Sequence, residues 1–176
     1  MKIKENTNTN TVPEVIEYFR HKAEDYDLVD LQCYWRLSDA ILQHLFQTKV
    51  LDFLDKTSEG IRFFDAGAGT GRWSLNILDH YSNAKGKLVD LSESMLSVAE
   101  KKFRAKGFFD NITIQQDNLD SLDWQQFNGF NLAFSFHNVI GFVEQPARLI
   151  ANMAKIIEPS GYVVILAPNL YHNVFF

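Results

Sequence analysis

The sequence predicts an α/β protein: a doubly wound, mainly parallel sheet with helices on both faces, preceded by a helical segment. Three observations predict it. Short apolar runs alternate with helical patterns from Gly60 onward. Those runs are apolar at successive positions, as strands buried on both faces require. A glycine-rich stretch, Ala66-Gly67-Ala68-Gly69-Thr70-Gly71, stands where the first strand gives way to a helix.

The elements follow in order. The first ten residues, MKIKENTNTN, are polar and read as a disordered tail. Pro13 and Glu14 suit a first helical turn, and Val15, Ile16 and Phe19 then keep helical spacing. Leu37, Ala40, Ile41 and Leu45 repeat that spacing, which slips before Leu51 and Leu54. Residues 12–56 thus read as two or three helices without a strand. Ile61 to Asp65 is a short buried strand, and Trp73, Ile77 and Tyr81 mark the helix beyond the glycines. Lys87 to Asp90 is a second strand. Ser92 caps the following helix, which buries Met95, Ala99 and Phe103 and stops at Gly107. Ile112 to Gln115 is the third strand, with a short polar helix expected near 119–127. Phe130 to Phe136 is the fourth. Pro146 opens a helix carrying Leu149, Met153 and Ile156, and the turn Glu158-Pro159-Ser160-Gly161 leads into a fifth strand, Tyr162 to Ala167.

Composition removes several function classes. The chain carries 17 Lys and Arg against 22 Asp and Glu, a net charge of −5. That balance disfavours binding nucleic acid through phosphate neutralisation. The basic run from Lys101 to Lys106 reads as the solvated end of a helix. No apolar run approaches the ~18 residues of a membrane span, and no apolar segment follows the two N-terminal lysines as a secretory signal would require. Cys33 is the one cysteine, so no intrachain disulfide can form. The five histidines are scattered and do not share ligand spacing with it, so no metal site is expected. The expectation is a cytoplasmic protein with a small-molecule substrate and neither nucleic acid nor membrane as partner.

A glycine loop between strand and helix lets a ligand approach the backbone beside free helical N–H groups. The dinucleotide fingerprint G-x-G-x-x-G needs its third glycine at position 72, where Arg72 stands. The pattern here is Asp65-x-Gly67-x-Gly69-x-Gly71, which resembles motif I of the class I S-adenosylmethionine-dependent methyltransferases. The resemblance continues in order through residues 61–167. Asp90 ends the second strand, where the family holds both ribose hydroxyls, and a carboxylate suits a diol. Leu91 and Met95 match the apolar residues that flank the adenine. Asp117, with Asn118 and Leu119, matches the aspartate that meets the adenine amino group. Ser135, Phe136, His137 and Asn138 end the fourth strand, where the family lines its methyl-transfer site. Pro159 and Gly161 match the turn before the fifth strand.

The resemblance implies a Rossmann-like core over 60–176 and a cofactor, S-adenosyl-L-methionine, leaving as S-adenosyl-L-homocysteine. It implies cofactor contacts from Asp65, Ala66, Gly67 and Gly69 as well as those above. Tyr18 to Asp27 more faintly resembles the N-terminal segment of quinone-biosynthesis methyltransferases. That likeness implies a lid over residues 12–59, after a tail at 1–11, with Tyr26, Trp35 and Arg36 over the methionine end. The alternative is that these aromatics only pack the helices onto the sheet. His137 lies at the carboxyl edge where open α/β sheets bind ligands. It is either a general base or a histidine that shapes the pocket. Asn138, Asn169, Tyr171 and His172 share that edge and are candidates for substrate binding.

The strand count pulls against a complete enzyme. The family has seven strands, and strands six and seven are missing from this count. Residue 176 is therefore expected not to be the native terminus, with self-association through the open edge of the fifth strand. The rival readings are a non-catalytic module that keeps the cofactor fold, a nicotinamide-dependent oxidoreductase, and a macromolecular methyltransferase.

Overall fold

A computed structural model describes residues 12–54 and 60–167. The Asn169, Tyr171 and His172 candidates and the tail lie outside the described residues.

Five strands form one parallel sheet: β1 (Arg62–Ala66), β2 (Lys85–Asp90), β3 (Ile112–Gln116), β4 (Phe130–Ser135) and β5 (Ile157–Ile165). Their order is β3-β2-β1-β4-β5. The order reverses direction at β1, so β1 and β4 flank the switch point, where the carboxyl ends of such sheets open a crevice. Successive side chains point to opposite faces. Phe63, Leu88, Leu132 and Phe134 enter one core with Phe46, Ile77, Leu78 and Phe103. Phe64, Val89 and Ala133 enter the other with Leu122, Trp124, Leu149 and Met153. This double burial explains why the strands read as continuous apolar runs. Among the described residues no strand pairs with the outer edge of β5.

The helices are α1 (Val12–Lys22), α2 (Cys33–Phe46), α3 (Asp52–Leu54), α4 (Arg72–His80), α5 (Glu93–Lys106) and α6 (Pro146–Lys155). A 3-10 turn, Tyr26–Leu31, joins the first two. Ser92 caps α5 by accepting the Met95 N–H (3.4 Å), and Gly107 ends it at φ 76°. The slipped periodicity before Leu51 is a π turn over Gln47–Leu51. The wider turn brings Val50, Leu51 and Leu54 back to the core.

Two local expectations are corrected. No helix spans 119–127; only Trp124–Gln126 forms a 3-10 turn. The Asn118 side chain accepts the Asp120 N–H, and Asp123 accepts the Gln125 N–H, so local side-chain bonds displace helical ones. The turn expected at 158–161 lies inside β5 as a bulge. Phe130 pairs with Ile157 but Leu132 pairs with Tyr162, and Ser160 takes φ 71° between them.

Candidate active site

The crevice at the carboxyl ends of β1, β2 and β4 holds a cavity of about 190 Å³. Its floor is the loop from Gly67 to Gly71, with all three glycines at positive φ (80°, 54° and 68°). That path is closed to most side chains. A Cβ on Gly71 would also stand 2.6 Å from the buried Phe103 ring.

The loop is gripped residue by residue. Val89 O accepts the N–H groups of Gly67 (2.8 Å) and Ala68 (3.0 Å). Asp90 Oδ2 accepts from Gly69 N (2.8 Å), and its Oδ1 accepts from Ser92 N (2.8 Å). Burial raises the Asp90 pKa, while the backbone N–H groups of Ser92, Gly69 and Leu91 pull it back. The carboxylate keeps acceptor capacity for a further donor.

Asp65 is 3% exposed and faces the same cavity. Its Oδ2 accepts from Ser74 Oγ (2.6 Å). Burial pushes its pKa up to about 7; the Ser74 bond opposes this and the Asp90 charge adds to it. Leu91, Met95, Asn118 and Leu119 form the wall beyond β2 and β3. Tyr26 closes the cavity from above, and burial raises its pKa, so it presents a neutral hydroxyl.

His137 stands at the end of β4, at φ 55°. Its Nε2 accepts the indole N–H of Trp73 (2.6 Å) and meets Arg72 Nη2 (2.8 Å). Indole and guanidinium nitrogens only donate, so Nε2 is the acceptor and Nδ1 carries the proton. This geometry opposes the general-base reading: the lone pair that would take a proton is engaged by two donors. Long-range nitrogen–proton NMR spectra at pH 8 should show the Nδ1–H tautomer. An Nε2–H ring would overturn the assignment.

The cavity thus brings together Tyr26, Asp65, Gly67, Gly69, Asp90, Leu91, Met95, Asn118, Leu119 and His137. It does not bring the remaining candidates there. Trp35 is 38% exposed on α2, against Tyr34. Arg36 lines a separate cleft. Ala66 is fully buried, and Ser135 Oγ donates to its carbonyl (2.8 Å), tying β4 to β1. Asp117 caps its own turn, accepting the Asn118 N–H (2.8 Å). Asn138 forms an exposed tight turn whose carbonyl accepts the Gly141 N–H.

Sequence reasoning expected a lid from residues 12–59 but did not name the side chains that form the roof. Val12, Val15, Ile16 and Phe19 of α1 face the cavity together with Phe142 and Val143. Phe19 joins the two sides, 6.1 Å from the Tyr26 ring and 5.8 Å from Phe142. The apolar periodicity of α1 was the available signal, and it fits a lid as well as a core helix. Asp120 and Glu144 were missed too; Asp120 accepts the Glu144 and Gln145 N–H groups at the rim.

Known proteins share this fold. A family model described as a methyltransferase domain matches residues 63–161. A ubiquinone/menaquinone biosynthesis C-methyltransferase from Shewanella piezotolerans is 32% identical over 111 residues, 61% of this chain and 42% of that protein. The chain therefore spans less than half the length of this relative. A protein of Methanococcus maripaludis classed among S-adenosylmethionine-dependent methyltransferases superposes with a TM-score of 0.65 at 17% identity. That match covers 84% of this chain and 63% of the other. A methyltransferase from Geobacter sulfurreducens, crystallised with S-adenosyl-L-homocysteine, gives 0.51 at 19% identity over 65% and 45% of the two chains. The structural likenesses carry the fold; the family match carries the assignment. The chain belongs to the class I S-adenosylmethionine-dependent methyltransferases, with its methyltransferase domain over residues 63–161.

Proposed function

We propose that the chain binds S-adenosyl-L-methionine in this cavity and takes part in methyl transfer to a small-molecule acceptor. One observation carries the reading: the glycine loop offers carboxylates where a dinucleotide site offers amides. Gly67, Ala68 and Gly69 spend their N–H groups on Val89 O and Asp90 Oδ2, and Gly71 spends its own on Ala68 O. Those amides are not available to a pyrophosphate, and Asp65, Asp90 and Asp120 would repel one. A ligand with a diol and positive charge suits the same groups. The nicotinamide reading loses on this chemistry.

Asp90 would accept the ribose hydroxyls on its remaining lone pairs. Leu91, Met95, Asn118 and Leu119 would border the adenine, and Asp65 would face the ammonium of the methionine end. When bound, the cofactor supplies an activated methyl on its sulfonium. The residues at that end are Tyr26, Phe136, His137 and the α1 roof. They orient an acceptor and exclude water, which in well-oriented systems is worth roughly 7–11 kcal/mol. His137 then serves to hold the pocket's shape. The largely apolar roof favours a carbon, oxygen or nitrogen acceptor carried on an apolar small molecule.

Titration calorimetry with S-adenosyl-L-homocysteine and with NADH tests the reading. Binding of the first and none of the second is expected; the reverse would sink it. Asp90→Ala should weaken S-adenosyl-L-homocysteine binding by about 1.5–3 kcal/mol, the scale of hydrogen bonds to a charged group. Asp90→Asn keeps the side chain's size and one acceptor, and should lose less. Unchanged affinity in both folded variants would remove Asp90 from the ribose role.

A further inference from the structure

The loop that floors the cavity is held from two directions. The sheet grips Gly67, Ala68 and Gly69 through Val89 O and Asp90. The next side chains are gripped by the N-terminal helical segment. Thr70 Oγ1 donates to Asp27 Oδ1 (2.7 Å), and Thr70 is 2% exposed. Asp27 Oδ2 pairs with Lys102 of α5 (2.7 Å). Asp39 Oδ2 pairs with Arg72 (2.7 Å), and Asp39 Oδ1 lies 3.7 Å from His137 Nε2.

Asp27 and Asp39 therefore straddle Gly71 from the 3-10 turn and from α2. We propose that Asp27 and Asp39 are positioning residues that latch residues 12–39 onto the glycine loop, so that cofactor exchange requires both latches to open.

The chemistry of the seam supports a latch that releases. Both ion pairs are only half-buried, and a cleft of about 780 Å³ lined by Arg36, Gln43 and Asn76 runs beside them. Water and salt reach the pairs, so screening weakens them. The roof residues are apolar: Val12 is 37% exposed, and α1 buries none of its residues fully. An element such as α1, whose contacts bury none of its residues fully, opens locally before the sheet does. The inference rests on the proposed cofactor reading for its consequence, but the latch itself exists without ligand.

The test therefore has two arms on the 176-residue chain. Amide hydrogen exchange of ligand-free protein should show faster exchange over 12–39 and 67–72 in Asp27→Asn and in Asp39→Asn. The swap Asp27→Lys with Lys102→Asp re-forms the ion pair with its sign reversed but removes the acceptor for the Thr70 hydroxyl, so it should slow exchange again only in part. Stopped-flow tryptophan fluorescence, reporting on Trp73 in the cavity wall, follows S-adenosyl-L-homocysteine release. Each single variant should release it about tenfold faster, the loss of one charged hydrogen bond. Raising salt should speed release from the wild type and much less from the variant that combines Asp27→Asn with Asp39→Asn. Wild-type exchange in both single variants would overturn the latch. Faster exchange with unchanged release would overturn the coupling to the cofactor. A wild-type chain that never takes the cofactor would instead sink the functional reading, and the exchange arm would still decide the latch.

Discussion

Gly69→Val is expected to leave no S-adenosyl-L-homocysteine binding measurable by calorimetry, a loss of more than about 100-fold. Gly69 sits at φ 54°, a region closed to β-branched residues at a cost of roughly 1–3 kcal/mol. A Cβ there would stand 3.3 Å from Met95 Cε, and the two γ-methyls would project further into the cavity wall. The strain also falls on the peptide whose N–H fixes Asp90 Oδ2. One substitution thus displaces the loop, moves the proposed ribose acceptor and narrows the site. The β1–α4 helix start does not depend on this side chain, so the variant should retain its circular dichroism spectrum. Gly69→Ala, with a smaller group at the same φ, should bind more weakly than wild type but measurably. A valine variant that folds and binds normally would show that the loop does not contact the cofactor.

The parts of the site that the sequence displays are those made by neighbouring residues. The glycine run, the Ser92 cap, Gly107 and Pro146 all act within a turn of their own position, so each leaves a local mark. Asp90 ends a strand and is legible for the same reason. The polar grip on the loop is different: Asp27 meets Thr70 across 43 positions and Asp39 meets Arg72 across 33. Asp27 closes the Tyr18–Asp27 resemblance, but nothing local gives its partner, and nothing local distinguishes Asp39 from Asp52. Asp117 shows the opposite failure. Its position matches the expected pattern, yet its Oδ1 folds back on the Asn118 N–H, and Asn118 takes the place on the cavity wall. Trp35 fails through helical phase. The 3-10 turn over Tyr26–Leu31 sets where α2 begins, and with that phase Trp35 looks outward beside Tyr34. His137 was legible as a place but not as a role, because its partners Arg72 and Trp73 come from the helix after the glycine loop. The five strands were legible because burial on both faces makes them continuous apolar runs, and the bulge in β5 was not, because a turn signal and a bulge signal share the same residues.

Cofactor affinity should rise with pH through neutrality, and Asp65 is the reason. Its carboxyl is buried against Ser74 with a pKa pushed up to about 7 by burial. In the unfolded chain an aspartate titrates near its ordinary value of about 3.9. Below that value both states hold the proton. As pH rises from there toward 7, the unfolded chain loses its proton while the native one keeps it, so the native state is progressively disfavoured. The stability present below the ordinary value is fully lost once pH has passed through about 7, a loss of roughly 4 kcal/mol on the usual conversion. Asp65→Asn keeps an acceptor for the Ser74 hydroxyl and never ionises. It should melt with the wild type near pH 4 and above it at pH 8. Cofactor binding reverses the preference. The ammonium and sulfonium of S-adenosyl-L-methionine favour the ionised carboxyl, so binding at pH 6 should release a proton from Asp65, while binding at pH 8 releases none. Calorimetry at pH 6 in two buffers of different ionisation enthalpy reads that proton directly. The Asn variant should show no buffer dependence and should bind more weakly than wild type at pH 8, where the wild-type carboxylate is charged. Equal heats in the two buffers for the wild-type protein at pH 6 would mean that Asp65 does not change its charge when the cofactor enters, and its place would then be structural, holding Ser74 and the start of α4.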